Sequence, residues 1–440
     1  MEGVLKPKDA AGGHPPLLEV LRLRDFRLLW AGQGISLLGD QFYLIALPWL
    51  VLQLTGDALA VGTVLAVAGI PRALFMLLGG ALTDRFSPRT LMLSSDLARV
   101  MLVALLAGLV LAHLVVPWIL YVFALVFGLV DAFFYPAQSA IVPQVVDKEH
   151  LHTGNSLVQG TAQVTLFAGP ALAGALIALL DGGGSPFAGR AGVAPDTRGI
   201  GIAFAFDALT FLVSAATLWM MRVPGNLQDR SEVEDRAAGV FASIREGLAA
   251  VWNDRTLRAL FVLVGAINFL SSGAFEVGIP VLAGSRLPEG ASAFGIIVSA
   301  FGGGSLLGTV LAGVLPKPAP RHMGTMLLVV TSIMGMGLAL LGLASSTALA
   351  SALALAMGLA SGYVFLLLIT WLQARTPQAM LGRTMGLLMF SAVGLNPIST
   401  ALGGAIARLD VTALLVGSGI LLAIVVLLSA LNPALREMET

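Results

Sequence analysis

Cysteine is absent from this chain of 440 residues. Without cysteine there is no disulfide framework, no thiol nucleophile and no thiolate metal site. Charged residues are also scarce, since they make up 11% of the sequence against 57% for hydrophobic residues. Soluble domains carry about 25% charged residues. The composition therefore excludes an ordinary soluble protein and indicates an integral membrane protein surrounded by membrane lipid.

Signatures of several other functions are missing as well. No GxxxxGK[ST] phosphate-binding loop occurs, so we expect no direct use of ATP. The five histidines are dispersed and predict no metal site. The formal net charge is zero, and the basic residues lie in short loops without interleaved aromatic residues, which predicts no nucleic-acid partner. The acidic stretch 229–235 is interrupted by arginine, as in a solvated linker, so we expect neither an enzyme nor a cofactor.

Twelve long apolar stretches fill most of the chain. Each has about 20 residues or more, which is enough for a helix to cross a hydrocarbon core roughly 30 Å thick. The sequence therefore predicts an all-α integral membrane protein with twelve transmembrane helices in two six-helix halves. The predicted spans are 28–54, 59–83, 89–112, 117–142, 154–181 and 199–222, then 257–284, 291–315, 322–344, 347–373, 380–408 and 411–432.

The segments between and outside these halves are polar. We predict a tail at 1–27, an N-terminal half at 28–222, a linker at 223–256, a C-terminal half at 257–432 and a tail at 433–440. In the linker, one helical face would carry Phe241, Ile244, Leu248 and Trp252, which predicts an amphipathic helix on the membrane surface.

Lysine and arginine are distributed unevenly between the two sides of the predicted bundle. If both termini are cytoplasmic, inner tails and loops hold 19 of the 25 basic residues, outer loops hold four, and two lie inside spans. Basic residues accumulate on the cytoplasmic side of membrane proteins. We therefore expect both termini in the cytoplasm and an uncleaved first helix. The outer residues are Arg190, Arg198, Arg286 and Arg408, and those inside spans are Arg72 and Arg99.

Two motifs stand out against the apolar background. The loop after span 2 reads Gly-Ala-Leu-Thr-Asp-Arg-Phe-Ser-Pro-Arg from Gly80 to Arg89. Span 5 carries Gly169-Pro170 with Gly174, and span 11 carries a similar Asn396-Pro397 followed by two glycines. The similar motifs in spans 5 and 11 indicate that the two halves are parallel repeats of one another. Transporters built from such repeats have a substrate cavity at the interface between the halves, near the middle of the membrane.

These motifs resemble those of the major facilitator superfamily, in particular its bacterial drug-exporter branch, which includes macrolide efflux proteins and the enterobactin exporter. The resemblance extends from Leu23 to about Leu431. In the loop after span 2, Ser87 and Pro88 depart from the family pattern. The matching residues are Gly80, Asp84, Arg85 and Arg89, and the resemblance implies that the last three brace helix ends in the outward-facing state.

The glycine and proline residues of span 5 are similar to a motif found in family members with antiport activity. The residues concerned are Gly160, Gly169, Pro170 and Gly174. Ordinary close packing of small residues is the alternative interpretation, because small residues let helices approach and proline permits a bend.

Charged residues inside the membrane are costly and require a partner, water or neutralisation. Asp40, Arg72 and Asp131 lie 13 or 14 residues from the same side, in spans 1, 2 and 4. We therefore expect Arg72 to pair with one or both aspartates, either as a permanent ion pair or as part of a proton site. Our hypothesis assigns proton exchange to Asp131, with Asp40 as the more constant partner of Arg72 and Glu276 of span 7 as the alternative.

Other polar residues of the spans receive simpler interpretations. Asp96 and Arg99, three residues apart, predict a local pair, and Asp207 is interpreted as an interfacial residue near the outer end of span 6. Polar stripes on apolar helices predict a substrate cavity or interhelical contacts. The candidate cavity residues are Gln33, Ser36, Tyr43, Tyr135, Gln138, Gln159, Gln163, Asn268, Ser272 and Tyr363.

Together these features predict a monomeric secondary transporter of the bacterial cytoplasmic (inner) membrane. The resemblance implies export of small amphipathic organic compounds, of the multidrug type, by proton antiport with alternating access and without a cofactor. The alternative is a dedicated exporter or facilitator of one metabolite, such as a siderophore or a lysolipid.

The orientation is testable because the chain has no native cysteine. A single cysteine in place of Arg230 or Glu234 should react with a membrane-impermeant maleimide only after the cytoplasmic side is exposed. A cysteine in place of Arg190, in a predicted outer loop, is the matched control and should react in intact cells. Labelling of the linker cysteine from outside sealed cells would reverse the predicted topology.

Overall fold

Long apolar stretches become helices in a membrane because only a helix satisfies all backbone polar groups within its own segment. The computed structural model describes residues 16–83, 87–147, 149–181, 196–222, 252–316, 322–376 and 378–431, and these contain helices and no strand. The helices are Pro16–Arg22, Arg24–Thr55, Ala58–Thr83, Pro88–Leu111, Pro117–Val145, Leu151–Leu180, Arg198–Met220, Arg255–Gly273, Ile279–Arg286, Ala291–Val314, Met323–Leu341, Thr347–Arg375, Gln378–Val393, Asn396–Leu409 and Val411–Ala430.

Twelve helices in the described part of the chain are long and apolar enough to cross a membrane, as the sequence predicts. We keep the numbers span 1 to span 12 for them, from Arg24–Thr55 to Val411–Ala430. Spans 1 and 5 begin several residues earlier than predicted, at Arg24 and Leu151. The first turns of these two helices contain polar residues, so a prediction based on hydropathy begins the spans later.

Spans 7 and 11 are irregular. Span 7 contains a π-helical segment at Ala274–Gly278, and span 11 is interrupted between Val393 and Asn396. The two irregularities meet, because the Asn396 amide donates a hydrogen bond of 2.9 Å to the Glu276 carboxylate. Pro397 lies in the first turn of the second half of span 11, a position that proline favours. π-Helical segments often lie at functional sites.

The two faces of the bundle differ in how the halves meet. We call the face with Gly56, His113 and Asp410 the hairpin face, and the face with Arg24 and Ser87 the tail face. At the hairpin side one continuous apolar core includes residues of both halves. At the tail side the apolar core of the C-terminal half is separate from that of the N-terminal half. The halves are therefore joined near the hairpin face and divided near the tail face.

Glycine makes the close contact at the hairpin face possible. Gly295 of span 8 faces the Pro170 carbonyl of span 5, and a Cβ there would collide with that oxygen. Gly62 of span 2 lies in the same way against the Thr400 carbonyl of span 11. Both contacts join one half to the other. An ion pair between Arg408 and Asp57, with an N to O distance of 3.6 Å, links the same two halves at the hairpin face.

Two cavities lie on the tail side. One, of about 430 Å³, lies between the halves, and the other, of about 420 Å³, lies between spans 7 and 11. Phe390 of span 11 borders both of them. The first is lined by Ala73, Ser139, Met385, Gly386, Met389, Phe390, Val393 and Gly394.

Candidate functional site

Asp131 forms a charged bridge in the interior of the N-terminal half. Its Oδ2 atom lies 2.7 Å from Nη2 of Arg72, and its Oδ1 atom lies 3.1 Å from Nη2 of Arg99. The three residues come from spans 4, 2 and 3. A buried carboxylate is tolerated when guanidinium groups balance its charge. The predicted pairing of Arg72 with an aspartate is therefore confirmed for Asp131.

Arg99 is the most deeply buried charged residue of this bridge, with a side chain that is 1% exposed. It lies 3.8 Å from Asp96, so the predicted local pair exists. Its guanidinium also stacks 3.8 Å from the centre of the Phe134 ring, and a cation held over an aromatic face is attracted to it. The local interpretation of this pair was incomplete because Arg99 also reaches Asp131.

A chain of hydrogen bonds continues from Asp96 towards span 4. Ser214 donates to Asp96 over 2.7 Å, Gln33 approaches Ser214 at 3.5 Å, and Gln138 donates to Gln33 over 2.7 Å. Gln33 and Ser36 are only 3% and 2% exposed. In this structure these two residues occupy interhelical contacts, the second of the two interpretations that the sequence left open. They lie between helices because small residues, including Gly32, let span 1 pack closely on span 6.

Asp40 and Asp207 have no ion pair in the described part of the chain. Asp40 is half-buried and does not pair with Arg72, so its predicted role as the constant partner of Arg72 is wrong. Gly128 packs against the Ala68 carbonyl, and this contact brings span 4, rather than span 1, beside Arg72. Asp207 is completely buried, which corrects its interpretation as an interfacial residue.

The predicted cavity residues lie in different environments. Asn268 donates to the Val264 carbonyl of its own helix. Gln159 is exposed, whereas Gln163 and Ser272 are half-buried. Two tyrosines pack against apolar cores: Tyr43 against the core that both halves share, and Tyr363 against the core of the C-terminal half.

Sequence reasoning missed the residues that line the cavity between the halves. Ala73 and Ser139 adjoin the predicted residues Arg72 and Gln138 in sequence, but they point elsewhere around their helices. The remaining lining comes from span 11, where Met385, Met389 and Phe390 form an apolar face. Methionine and an aromatic residue on one helical face were the signal available in the sequence.

The two family motifs are described in part. In span 5, Gly174 and Pro170 face span 8, Gly169 faces Gln41, and Gly160 has open space beside it. Arg89 donates hydrogen bonds of 2.7 Å to the carbonyls of Leu218 and Trp219, at the end of span 6. The placement of Asp84, Arg85, residues 223–251 and the side chains of Gly80 and Tyr135 lies outside the described residues.

Twelve spans in two halves, which meet on one face and enclose a cavity beside a charged interior, define a membrane transport protein. Residues 29–397 match the Major Facilitator Superfamily, and the chain belongs to this family. Solved structures with the same fold include a bacterial homologue of the human lysosomal transporter Spinster, with 13% identity, 97% of each chain covered and a TM-score of 0.66. A POT family transporter in complex with 5-aminolevulinic acid has 14% identity, a TM-score of 0.66, and 96% of this chain and 97% of its own covered.

Several relatives by sequence are named as efflux proteins. Multidrug efflux pump Tap of Mycolicibacterium fortuitum is 27% identical over 436 residues, which are 96% of this chain and 97% of that protein. Macrolide efflux protein A of Streptococcus pyogenes is 24% identical over 320 residues, which are 72% of this chain and 71% of that protein. Both of these relatives bear the names of efflux proteins.

The bridge predicts the effect of removing its central charge. Asp131→Asn should destabilise the protein by about 3 to 5 kcal/mol, because the buried Arg99 and the half-buried Arg72 lose their shared carboxylate. Thermal unfolding of the purified protein in detergent measures this. Asp147→Asn, in an exposed loop, is the matched control and should leave the unfolding temperature unchanged. Equal unfolding temperatures for wild type and Asp131→Asn would show that the bridge does not stabilise the fold.

Proposed function

We propose that the protein exports small amphipathic organic compounds, of the multidrug type, by proton antiport with alternating access. The observation that carries the proposal is a buried group of charged residues with more carboxyl than guanidinium groups, next to a cavity between two halves. The alternative is a dedicated exporter or facilitator of one metabolite, such as a siderophore or a lysolipid. A transport screen with macrolides, tetracyclines, dyes, siderophores and lysolipids separates these possibilities.

Alternating access is supported by the unequal packing of the two faces. If the tail face is cytoplasmic, as the basic residues predict, the cavity of about 430 Å³ lies on the inner side. The opposite side is closed by glycine contacts and the Asp57 to Arg408 ion pair. Exposed ion pairs contribute about 0 to 1 kcal/mol, so this pair adds little to the cost of opening the closed side. The arrangement suits the inward-facing state of a transporter whose halves rock against each other.

The lining of the cavity supports an apolar or amphipathic substrate. Methionine adapts its shape to different ligands, and Met385, Met389 and Phe390 supply most of the large side chains. The volume lies within the range of about 300 to 1,000 Å³ that is usual for small-molecule sites. Multidrug and macrolide efflux by the named relatives supports the same class. We propose that Gln159, Gln163, Asn268 and Ser272 complete the substrate path in other states of the transport cycle.

Proton coupling is supported by the balance of buried charges. Spans 1, 3, 4 and 6 contribute four carboxyl groups, and spans 2 and 3 contribute two guanidinium groups: Asp40, Asp96, Asp131, Asp207, Arg72 and Arg99. Two of the carboxyl groups have to carry protons for the group to be neutral. Asp131 is bound by two arginines, whereas Asp40 has no ion pair and is half-buried. We therefore propose Asp40 as the exchanging residue, in place of Asp131, and retain Glu276 as the alternative.

The energy available suits this mechanism. One proton driven by 100 mV supplies about 2.3 kcal/mol, and one pH unit adds about 1.4 kcal/mol. The total of about 3.7 kcal/mol supports an accumulation of several hundredfold for a neutral substrate. No ATP-binding motif is needed for such a transporter.

The proton role of Asp40 is tested with inverted membrane vesicles and ethidium or a labelled macrolide as the probe. Asp40→Asn should lose accumulation driven by a pH gradient and retain movement down a concentration gradient. Glu276→Gln is the matched variant and should keep pH-driven accumulation. Uphill transport with normal pH dependence in Asp40→Asn, together with its loss in Glu276→Gln, would assign the proton to Glu276.

Alternating access has a separate test at the hairpin face. Cysteines in place of Asp57 and Arg408 lie where the two charged groups now approach within 3.6 Å. A short bis-maleimide should link them and stop transport of either probe, while each single cysteine treated with the same reagent stays active. Undiminished transport by the linked protein would show that the halves do not separate at this face.

A further inference from the structure

Asp207 is fully buried, and one of its carboxyl oxygens has no partner in the described structure. Its residue surface is 0% exposed, and its Oδ2 atom has no hydrogen-bond partner in the described structure. The Thr210 hydroxyl approaches Oδ1 at 3.5 Å, but that hydroxyl binds the Asp207 carbonyl more closely, at 2.7 Å. An isolated carboxylate in a membrane interior is costly. The position therefore suits a neutral carboxylic acid better than an anion.

Every charged or titratable group that faces Asp207 can be assigned. Span 1 contributes Asp40 and Tyr43, and span 3 contributes Arg99, which Asp96 also approaches. Span 5 has no titratable side chain at this depth in its described residues. Arg99 is the nearest cation, but Asp131 at 3.1 Å and Asp96 at 3.8 Å already share its charge. Asp207 therefore depends on a proton rather than on a cation.

Gly39 brings Asp207 close to the backbone of span 1. A Cβ on Gly39 would collide with the Thr210 hydroxyl and lie against Asp207 Oδ1. Asp40 is the next residue along span 1, and it acts electrostatically on Asp207. Asp40 is half-buried, whereas Asp207 is fully enclosed behind it. Two carboxyl groups of neighbouring helices thus act on each other, one half-buried and one fully buried.

We propose that Asp207 is a second proton-binding residue, which holds its proton inside the N-terminal half and shares it with Asp40 when Asp40 releases its own. This inference rests on the proposed role of Asp40 in proton exchange. When Asp40 is a carboxylate, the protonated Asp207 carboxyl group donates a hydrogen bond to it through the shared proton. No other bond is formed or broken. Hydrogen bonding to a charged form stabilises that form. Asp207 would thereby lower the cost of the deprotonated state that antiport requires.

Infrared spectroscopy of purified protein in lipid nanodiscs tests this without a substrate. Protonated carboxyl groups have a carbonyl band distinct from that of carboxylates. We expect the wild type at neutral pH to show an acid band that loses one component in Asp207→Asn and keeps it in the exposed control Asp147→Asn. An acid band of unchanged intensity in Asp207→Asn would overturn the proposal.

A second variant and a second measurement separate loss of the proton site from loss of the fold. Thr210→Val should shift the acid band, because the neighbouring hydroxyl is removed, while the fold is kept. Asp207→Asn should unfold within a few degrees of wild type, since an amide resembles a neutral acid, and a drop as large as that of Asp131→Asn would contradict the proposal. If the band depends on Asp207 but Asp40→Asn keeps pH-driven transport, the proton site stands and the proposed antiport through Asp40 fails.

Discussion

The carboxylate of Asp131, held between Arg72 and Arg99, is the interaction on which the interior of the N-terminal half depends. It joins spans 2, 3 and 4 at one level inside the bundle, where each unbalanced charge is costly. Because one carboxylate occupies both guanidinium groups, the other carboxyl groups of the interior have to share Arg99 or carry protons. Arg72 also acts electrostatically on Glu276 in the other half.

The two faces of the bundle differ in how the halves that surround these charges pack against each other. A single core near the hairpin face, and cores near the tail face that each belong to one half, describe two bodies that share one contact region. Within that region, glycine lets the backbones of the two halves approach each other closely. The π-helical segment of span 7 and the interruption of span 11 lie together beside it. Local irregularities of this kind let a span bend without losing its whole hydrogen-bond ladder.

Hydropathy was sufficient to predict the twelve spans, because length and apolar composition determine whether a helix can cross a membrane. Depth along each span correctly placed Arg72 and Asp131 at one level. Direction around the helix was not predictable in the same way. Whether Asp40 or Asp131 meets Arg72 depends on which faces pack, and glycine decides that.

The sequence did contain one signal for the buried face of span 6. Asp207, Thr210, Ser214 and Thr217 recur at helical spacing, and Gly32 and Gly39 of span 1 face Thr217 and Thr210. Small residues seven apart on one helix, opposite a polar stripe on another, predict a close interhelical contact. Asp207 belongs to that stripe, so its burial follows from the same pattern. The interfacial interpretation of Asp207 used only its distance from the end of the helix and did not consider this pattern.

Separation of the charged bridge from the cavity determines how proton binding can act on a substrate. Arg72 binds Asp131, while the next residue, Ala73, lines the cavity between the halves, and successive residues of a helix point about 100° apart. On span 4, Gln138 belongs to the hydrogen-bond chain and Ser139 to the cavity lining. A change of charge in the interior that moves span 2 or span 4 therefore moves the cavity wall directly. Coupling of this kind needs no charged group in the cavity itself, which leaves its apolar lining free to accept substrates of different shapes.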